Sequence, residues 1–236
     1  MKKNIYLDYA STTPTDPKVV KAMEPYWTKY YGNPSSLYQL GLKSKEAITE
    51  AKLKISQLLN CQSDEIIFTG GGTESINLAL KGVMNKVKDG HIITSATEHH
   101  AVLHTTDSLK KSGHSVSILP VDAEGLIKLT DISKAIKNNT RLVSIMMANN
   151  EIGVIQDIQK IGALLERLNK TRLEKNLPKI YFHTDACQAS GVLDLDVKKL
   201  HVDLLTINGS KAYGPKGVGA LYIKTGTIIG PIIDGG

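Results

Sequence analysis

From Glu65 to Ile223 the chain alternates short apolar runs with amphipathic stretches, and this alternation restricts it to few architectures. Apolar runs at Glu65–Phe68, His91–Ser95, Ser115–Pro120, Arg141–Met146, Ile180–Thr184, Leu204–Ile207 and Gly219–Ile223 read as strands. Helices are expected between them at Glu74–Val87, Ala101–Ser112, Leu129–Ile136, Ile158–Leu173 and Val197–Leu200. Strand-then-helix order at this spacing implies parallel strands covered by helices, an α/β layered domain. The Gly219–Ile223 strand is expected to pair with its predecessor. Before this region lie an extended arm at Ile5–Tyr9, a turn at Thr12–Pro17, a helix over Val19–Tyr30 and a helix over Ser44–Leu59. Val19, Met23, Tyr26 and Trp27 fall on one face of the first helix. The charged segment Lys170–Lys179 is expected to be exposed.

In such a fold, ligands bind at the C-terminal ends of the strands, so residues just after each strand are the candidates. Thr69-Gly70-Gly71-Gly72-Thr73 joins a strand to a helix, where backbone N–H groups beside glycines can hold an anion. The segment is not a dinucleotide fingerprint, because Ser75 stands where the third glycine belongs. Gly209–Gly214 is not a Walker loop, because Pro215-Lys216-Gly217 follows. On the residues alone, Thr69–Thr73 could equally be a turn with Thr73 as a helix cap.

His99, in Thr97-Glu98-His99-His100, could stack on a flat ring or shuttle protons, or lie in a solvated loop. Asn150, in Asn149-Asn150-Glu151-Ile152-Gly153, could offer an amide to a ring oxygen, or serve a turn. Asp185 closes its strand, with Cys187 and Gln188 following, and on the residues alone could be an N-cap or a surface acid. Lys211 lies between an apolar run and Gly214-Pro215-Lys216-Gly217. An amine held by backbone on both sides can form a Schiff base with an aldehyde cofactor, and an acid such as Asp185 can hold a pyridine nitrogen. One pocket accounts for all four strand ends and the lysine. His183 with Asp185 lacks a third metal ligand at suitable spacing, so no metal is expected.

Composition narrows the classes. The net charge is +6, but the lysines are scattered (Lys2, Lys43, Lys110, Lys198) and expected to pair with nearby acids, with no basic run interleaved with aromatics. Nucleic-acid binding is therefore not expected. Two distant cysteines, Cys61 and Cys187, argue against a disulfide framework and for a reducing compartment. The N-terminus has no apolar signal core, and no apolar run approaches a membrane span. The expectation is a cytoplasmic protein without a membrane segment.

Taken in order, YLDYASTTP, FTGGGTESINLALKG, TEHHAV, NNEIGVIQDI, HTDACQASG and GSKAYGPKGVGALYI resemble cysteine desulfurases of the NifS/IscS type, class-V, fold-type-I pyridoxal phosphate (PLP) enzymes. The resemblance covers nearly the whole chain. It implies a three-layer α/β/α large domain over 16–236, with residues 1–15 an arm belonging to a small domain, and a chain that stops before the C-terminal part of the family. It implies that Lys211 forms the Schiff base with PLP and moves the substrate proton, that Asp185 pairs with the pyridinium nitrogen, and that His99 stacks on the ring. Asn150 and Gln188 are implied to bond the 3′-oxygen, and Gly72 and Thr73 the phosphate. The implied reaction takes L-cysteine to L-alanine and leaves sulfur as an enzyme persulfide, for an acceptor in Fe–S cluster assembly or tRNA thiolation; the implied assembly is a homodimer.

Where many family members have Ser-x-His-Lys, this chain has Asn208-Gly209-Ser210-Lys211. Asn208 and Ser210 are thus implied phosphate partners in place of an imidazole. Asp234 precedes the final glycines, where an acid near a phosphate would be unfavourable. The family's persulfide cysteine, its carboxylate-binding arginine and the threonine supplied by a partner subunit are expected beyond Gly236. Cys61 and Cys187 are read as packing residues, and the chain alone is not expected to complete desulfuration. The alternatives are another class-V enzyme (a selenocysteine lyase or an aminotransferase), a chain that binds PLP or a partner without turnover, and a remnant that cannot fold.

Overall fold

A computed structural model describes residues 5–235 of the chain. Seven strands form one sheet: β1 (Ile66–Thr69), β2 (His91–Ser95), β3 (Ser115–Leu119), β4 (Thr140–Ser144), β5 (Tyr181–Asp185), β6 (Leu204–Asn208) and β7 (Gly219–Ile223). Their spatial order is β1-β7-β6-β5-β4-β2-β3. Neighbours are parallel from β6 through β3, whereas β7 runs antiparallel to both β6 and β1. The C-terminal ends of β1, β2, β4, β5 and β6 therefore meet at one sheet edge. β2 leads outward to β3, and the chain then crosses back to β4 and continues the other way. The switch between β2 and β4 is where such sheets open a crevice.

Side chains alternate across the strands, so adjacent residues feed two cores. On one face Ile92, Leu142, Tyr181, Leu204 and Leu221 pack against α4 (Gly72–Met84) and α5 (His100–Lys111). On the other, Ile93, Val143, Phe182 and Leu205 pack against α6 (Leu129–Ala135), α7 (Ile158–Glu174), α8 (Val197–Leu200) and the end of α3 (Gln39–Leu59). Burial on both faces explains why these strands read as near-continuous apolar runs. The expected α/β/α layering is what the chain adopts.

Four local expectations need correction. The Val19–Tyr30 stretch forms two short helices, α1 (Pro17–Met23) and α2 (Pro25–Thr28), because Pro25 supplies no N–H to continue the first. Its apolar face is not a core face, since neither helix buries a residue and Trp27 is 72% exposed. α3 starts at Gln39, five residues before the expected Ser44. Gly41 hid this start by weakening the helical pattern. It is glycine because a Cβ there would lie 2.6 Å from the carbonyl oxygens of Asn33 and Ser36. The arm turns at Tyr9–Ser11 and then runs out to Asp16, rather than turning over Thr12–Pro17. In the segment expected to be exposed, Arg172 is buried. Its guanidinium donates to the carbonyls of Pro178, Lys137, Asn138 and Thr140. Of the lysines read as lying beside acids, Lys43 pairs with Glu46, while Lys198 donates to Asn60.

Candidate active site at the carboxyl edge of the sheet

A cavity of about 300 Å3 opens at the sheet edge, within the size range of small-molecule sites. It is lined by Gly72, Thr73, His99, Asn150, Asp185, Gln188, Asn208 and Lys211, which come from the ends of β1, β2, β4, β5 and β6 or the segments that follow them. Of the residues singled out in the sequence, only Ser210 lies elsewhere. It borders an adjoining groove of about 640 Å3 with Gly70, Gly71, Glu74 and Lys216, and Gly72, Thr73 and Asn208 line both spaces. Ile232 reaches this groove, whereas Asp234 does not line it.

The glycine run builds one wall. Gly71 caps α4 with φ +148°, a conformation that side chains rarely adopt. A Cβ on Gly72 would lie 2.8 Å from the Cys187 thiol. The chain thus approaches the cavity as bare backbone, and the first N–H groups of α4 stand at its edge. Thr69 and Ser75 are hydrogen-bonded to each other at 2.7 Å and lock the strand–helix corner. The Glu74 carboxylate turns back onto the Gly70 N–H at 2.8 Å.

Opposite lies the switch-point wall. His99 caps α5, its Nδ1 accepting from the Ala101 N–H at 3.0 Å. That bond fixes the tautomer with the proton on Nε2. Asn149 and Asn150 divide the labour. The Asn149 amide donates to the Thr97 carbonyl and accepts from the N–H groups of Glu151 and Ile152, tying the β2 and β4 loops together. Asn150 is left to line the cavity.

Asp185 is buried at the end of β5, with one carboxylate oxygen accepting from the Cys187 N–H at 2.9 Å. Burial pushes the Cys187 thiol well up, and the Asp185 charge adds to this. Burial also raises Cys61, to about 11. Both cysteines are therefore protonated near neutral pH and poor nucleophiles. His183 sits inside the sheet with its ring nitrogens at 2.8 Å from the Ser144 hydroxyl and 3.0 Å from that of Thr206. Burial lowers its pKa to about 3, so it is a neutral core residue. Among the described residues, His, Cys, Asp and Glu side chains do not gather in the threes a metal needs.

Two participants were not legible in the sequence. Glu98 is buried behind His99, with Oε1 accepting from the Ser95 hydroxyl at 2.6 Å and the Met146 N–H at 2.9 Å. Burial raises its pKa to about 8, the hydrogen bonds oppose this, and Asp185 adds to it. Its place directly after β2 is the signal that pointed to His99, and nothing in the sequence turned the carboxyl inward. The other is the arm. Ala10 and Ser11 line the cavity, and their carbonyls accept from Lys211 Nζ at 2.7 and 2.6 Å.

The residues present fit pyridoxal phosphate. An amine, a buried carboxylate and a neutral imidazole share one cavity with a bare-backbone helix start that can take a phosphate. Comparison with known proteins agrees. The chain is 51% identical over 238 residues to the cysteine desulfurase IscS of Clostridium botulinum strain Kyoto (type A2), covering 100% of this chain and 57% of that protein. A solved NifS-like protein superimposes with TM-score 0.93 at 36% identity, covering 99% of this chain and 62% of the other. The structure of SspA in complex with cysteine superimposes with TM-score 0.91 at 39% identity, covering 99% and 65%. The chain thus spans a little over half the length of the curated relative. The class-V aminotransferase family matches residues 5–235, and the chain belongs to this family of pyridoxal phosphate enzymes.

Proposed function

We propose that this chain is the cofactor-binding part of a PLP-dependent cysteine desulfurase, in which L-cysteine and an enzyme thiol become L-alanine and an enzyme persulfide. The observation that carries the reading is the meeting of Lys211, Asp185 and His99 in one cavity, in a chain half identical to IscS proteins. When bound, the cofactor supplies an aldehyde for the amine and a ring that takes up electron density. Lys211 would supply the amine and carry the proton taken from the substrate. Asp185 would hold the proton at the ring nitrogen. His99 would lie against the ring and offer its Nε2–H. Asn150 and Gln188 would donate to the 3′-oxygen. The α4 N–H groups, the Thr73 hydroxyl, Asn208 and Ser210 would hold the phosphate.

Neither Cys61 nor Cys187 is set up to accept sulfur. We assign that role to a cysteine in the additional length that the relatives carry, so the 236-residue chain binds the cofactor without turnover. The proposal includes a homodimer in the cytoplasm, a sulfur acceptor in Fe–S cluster or tRNA thiolation chemistry, and an arm over residues 1–15, of which 1–4 lie outside the described residues, that belongs with a small domain. No described helix is long and apolar enough to cross a membrane.

The test is borohydride reduction of the chain after incubation with PLP, followed by peptide mapping. A pyridoxyl group on Lys211, absent in a Lys211→Ala variant of unchanged circular dichroism, is the expected result. Label spread over surface lysines, or retained in the variant, would overturn the assignment.

A further inference from the structure

We propose that residues 10–16 of the arm form a clasp that aims the Lys211 amine into the cavity, with Thr13 as the positioning residue. The proposal rests on Lys211 being the reactive amine of the site just described. A neutral amine has two N–H groups and one lone pair. The Ala10 and Ser11 carbonyls, at 2.7 and 2.6 Å from Nζ, can accept both N–H groups. The lone pair is then left pointing away from the arm, on the side where Lys211 lines the cavity. In the ammonium form the same carbonyls take two of three protons, and the third faces the cavity.

These carbonyls stay in place because the arm is stapled to both flanks of Lys211. Thr13 is buried at 4% exposure. Its hydroxyl donates to the Ser210 carbonyl at 3.0 Å and accepts from the Tyr213 N–H at 2.9 Å. Its own N–H donates to the Ser210 carbonyl at 2.9 Å, and its carbonyl accepts from Lys216 Nζ at 2.8 Å. The Asp16 N–H donates to the Tyr213 carbonyl at 2.9 Å, and the Thr15 hydroxyl to that of Gly214 at 3.3 Å. Tyr213 needs such holding. It is a bulky residue at φ +57°, a conformation that persists only where its surroundings impose it. The Thr13 hydroxyl thus fixes the residue before Lys211 and the second residue after it with one oxygen.

The test needs no cofactor. The chain is treated with limiting acetic anhydride, and acetylation of each lysine is mapped by mass spectrometry against the exposed Lys110 and Lys170. Lys211 is expected to react several-fold more slowly than these. Thr13→Val should speed its acetylation on the order of five-fold, the factor one net hydrogen bond carries. Thr13→Ser, which keeps the hydroxyl, should match the parent chain. A Gly-Gly insertion between Ser11 and Thr12, which displaces the two carbonyls but keeps the staple, should act like Thr13→Val and carries the test if that variant does not fold. The pyridoxyl label on Lys211 should fall in the same two variants. Unchanged Lys211 acetylation in both, with parental circular dichroism and unfolding midpoint, would overturn the clasp, as would a Thr13→Ser variant that behaves like valine. If the parent chain takes no pyridoxyl label while acetylation follows this pattern, the clasp stands and the cofactor reading falls.

Discussion

Glu98 lies close to Asp185, yet the two carboxyls do different work. With its pKa near 8 against an ordinary 4.5, Glu98 is uncharged at neutral pH, and Asp185 is the carboxyl group that lines the cavity. Folding therefore takes up a proton at Glu98 between about pH 4.5 and 8. The unfolded chain binds fewer protons there, so this group lowers stability as pH rises through the window. Glu98→Gln keeps an acceptor for Ser95 and Met146 without the titration. Denaturant unfolding from pH 5 to 8.5 should show the variant gaining on the parent as pH rises, by an amount on the order of a few kcal/mol at the alkaline end. A constant difference across that range would mean that Glu98 ionises normally. His99 was legible beside it because an imidazole after a strand end suggests chemistry wherever it points. Glu98 was not, because its role depends on turning inward under Met146, which only the packed β2 and β4 loops decide. The Lys211 clasp was illegible for another reason. Its hydrogen bonds join residues 197 to 203 positions apart, and no local pattern records such a contact.

The strands and the long helices followed from periodicity, since each buries a face whose spacing sets the pattern. Joints between them depend on single polar residues and were harder to read. Asp196 is one. Its Oδ1 accepts from the N–H groups of Lys198 and Lys199, starting α8, while Oδ2 accepts from the Asn60 amide at 3.0 Å. Asn60 itself ends α3 in the left-handed conformation. One carboxylate thus caps one helix and ties it to the end of another. Asp196→Ala should cost about 1–2 kcal/mol, the usual worth of a lost N-cap, as seen in chemical unfolding. Asp196→Asn, which keeps one acceptor oxygen for the α8 N–H groups but none for the Asn60 amide, should recover the capping share of it. Equal losses in the two variants would show that the charge, not the cap geometry, matters. The sequence showed the short α8 but not its tie to α3, because Asn60 and Asp196 are 136 positions apart.

Across the molecule, apolar burial is uneven. The sheet and its two helix layers bury most of their large side chains, though Leu58 and Leu173 stand 77% exposed, and ahead of them Ile5, Leu7, Trp27 and Leu37 stand 72–90% exposed. An N-terminal stretch that leaves several large apolar side chains exposed is a candidate interaction region. The chain spans 57% of its IscS relative, so the same region in a longer protein has further chain available to cover it. We propose that it does. Trp27 is the single tryptophan and reports on this surface directly. In the 236-residue chain its emission should be that of an indole in water and readily quenched by acrylamide. In a chain extended to the length of the relatives, the emission should move to shorter wavelength and the quenching constant should fall several-fold. Trp27→Phe in both lengths removes the signal and controls for tyrosine. Identical spectra and quenching in the two lengths would place the covering segment elsewhere, and would leave the α1–α2 surface as one that stays open to solvent in the longer protein too.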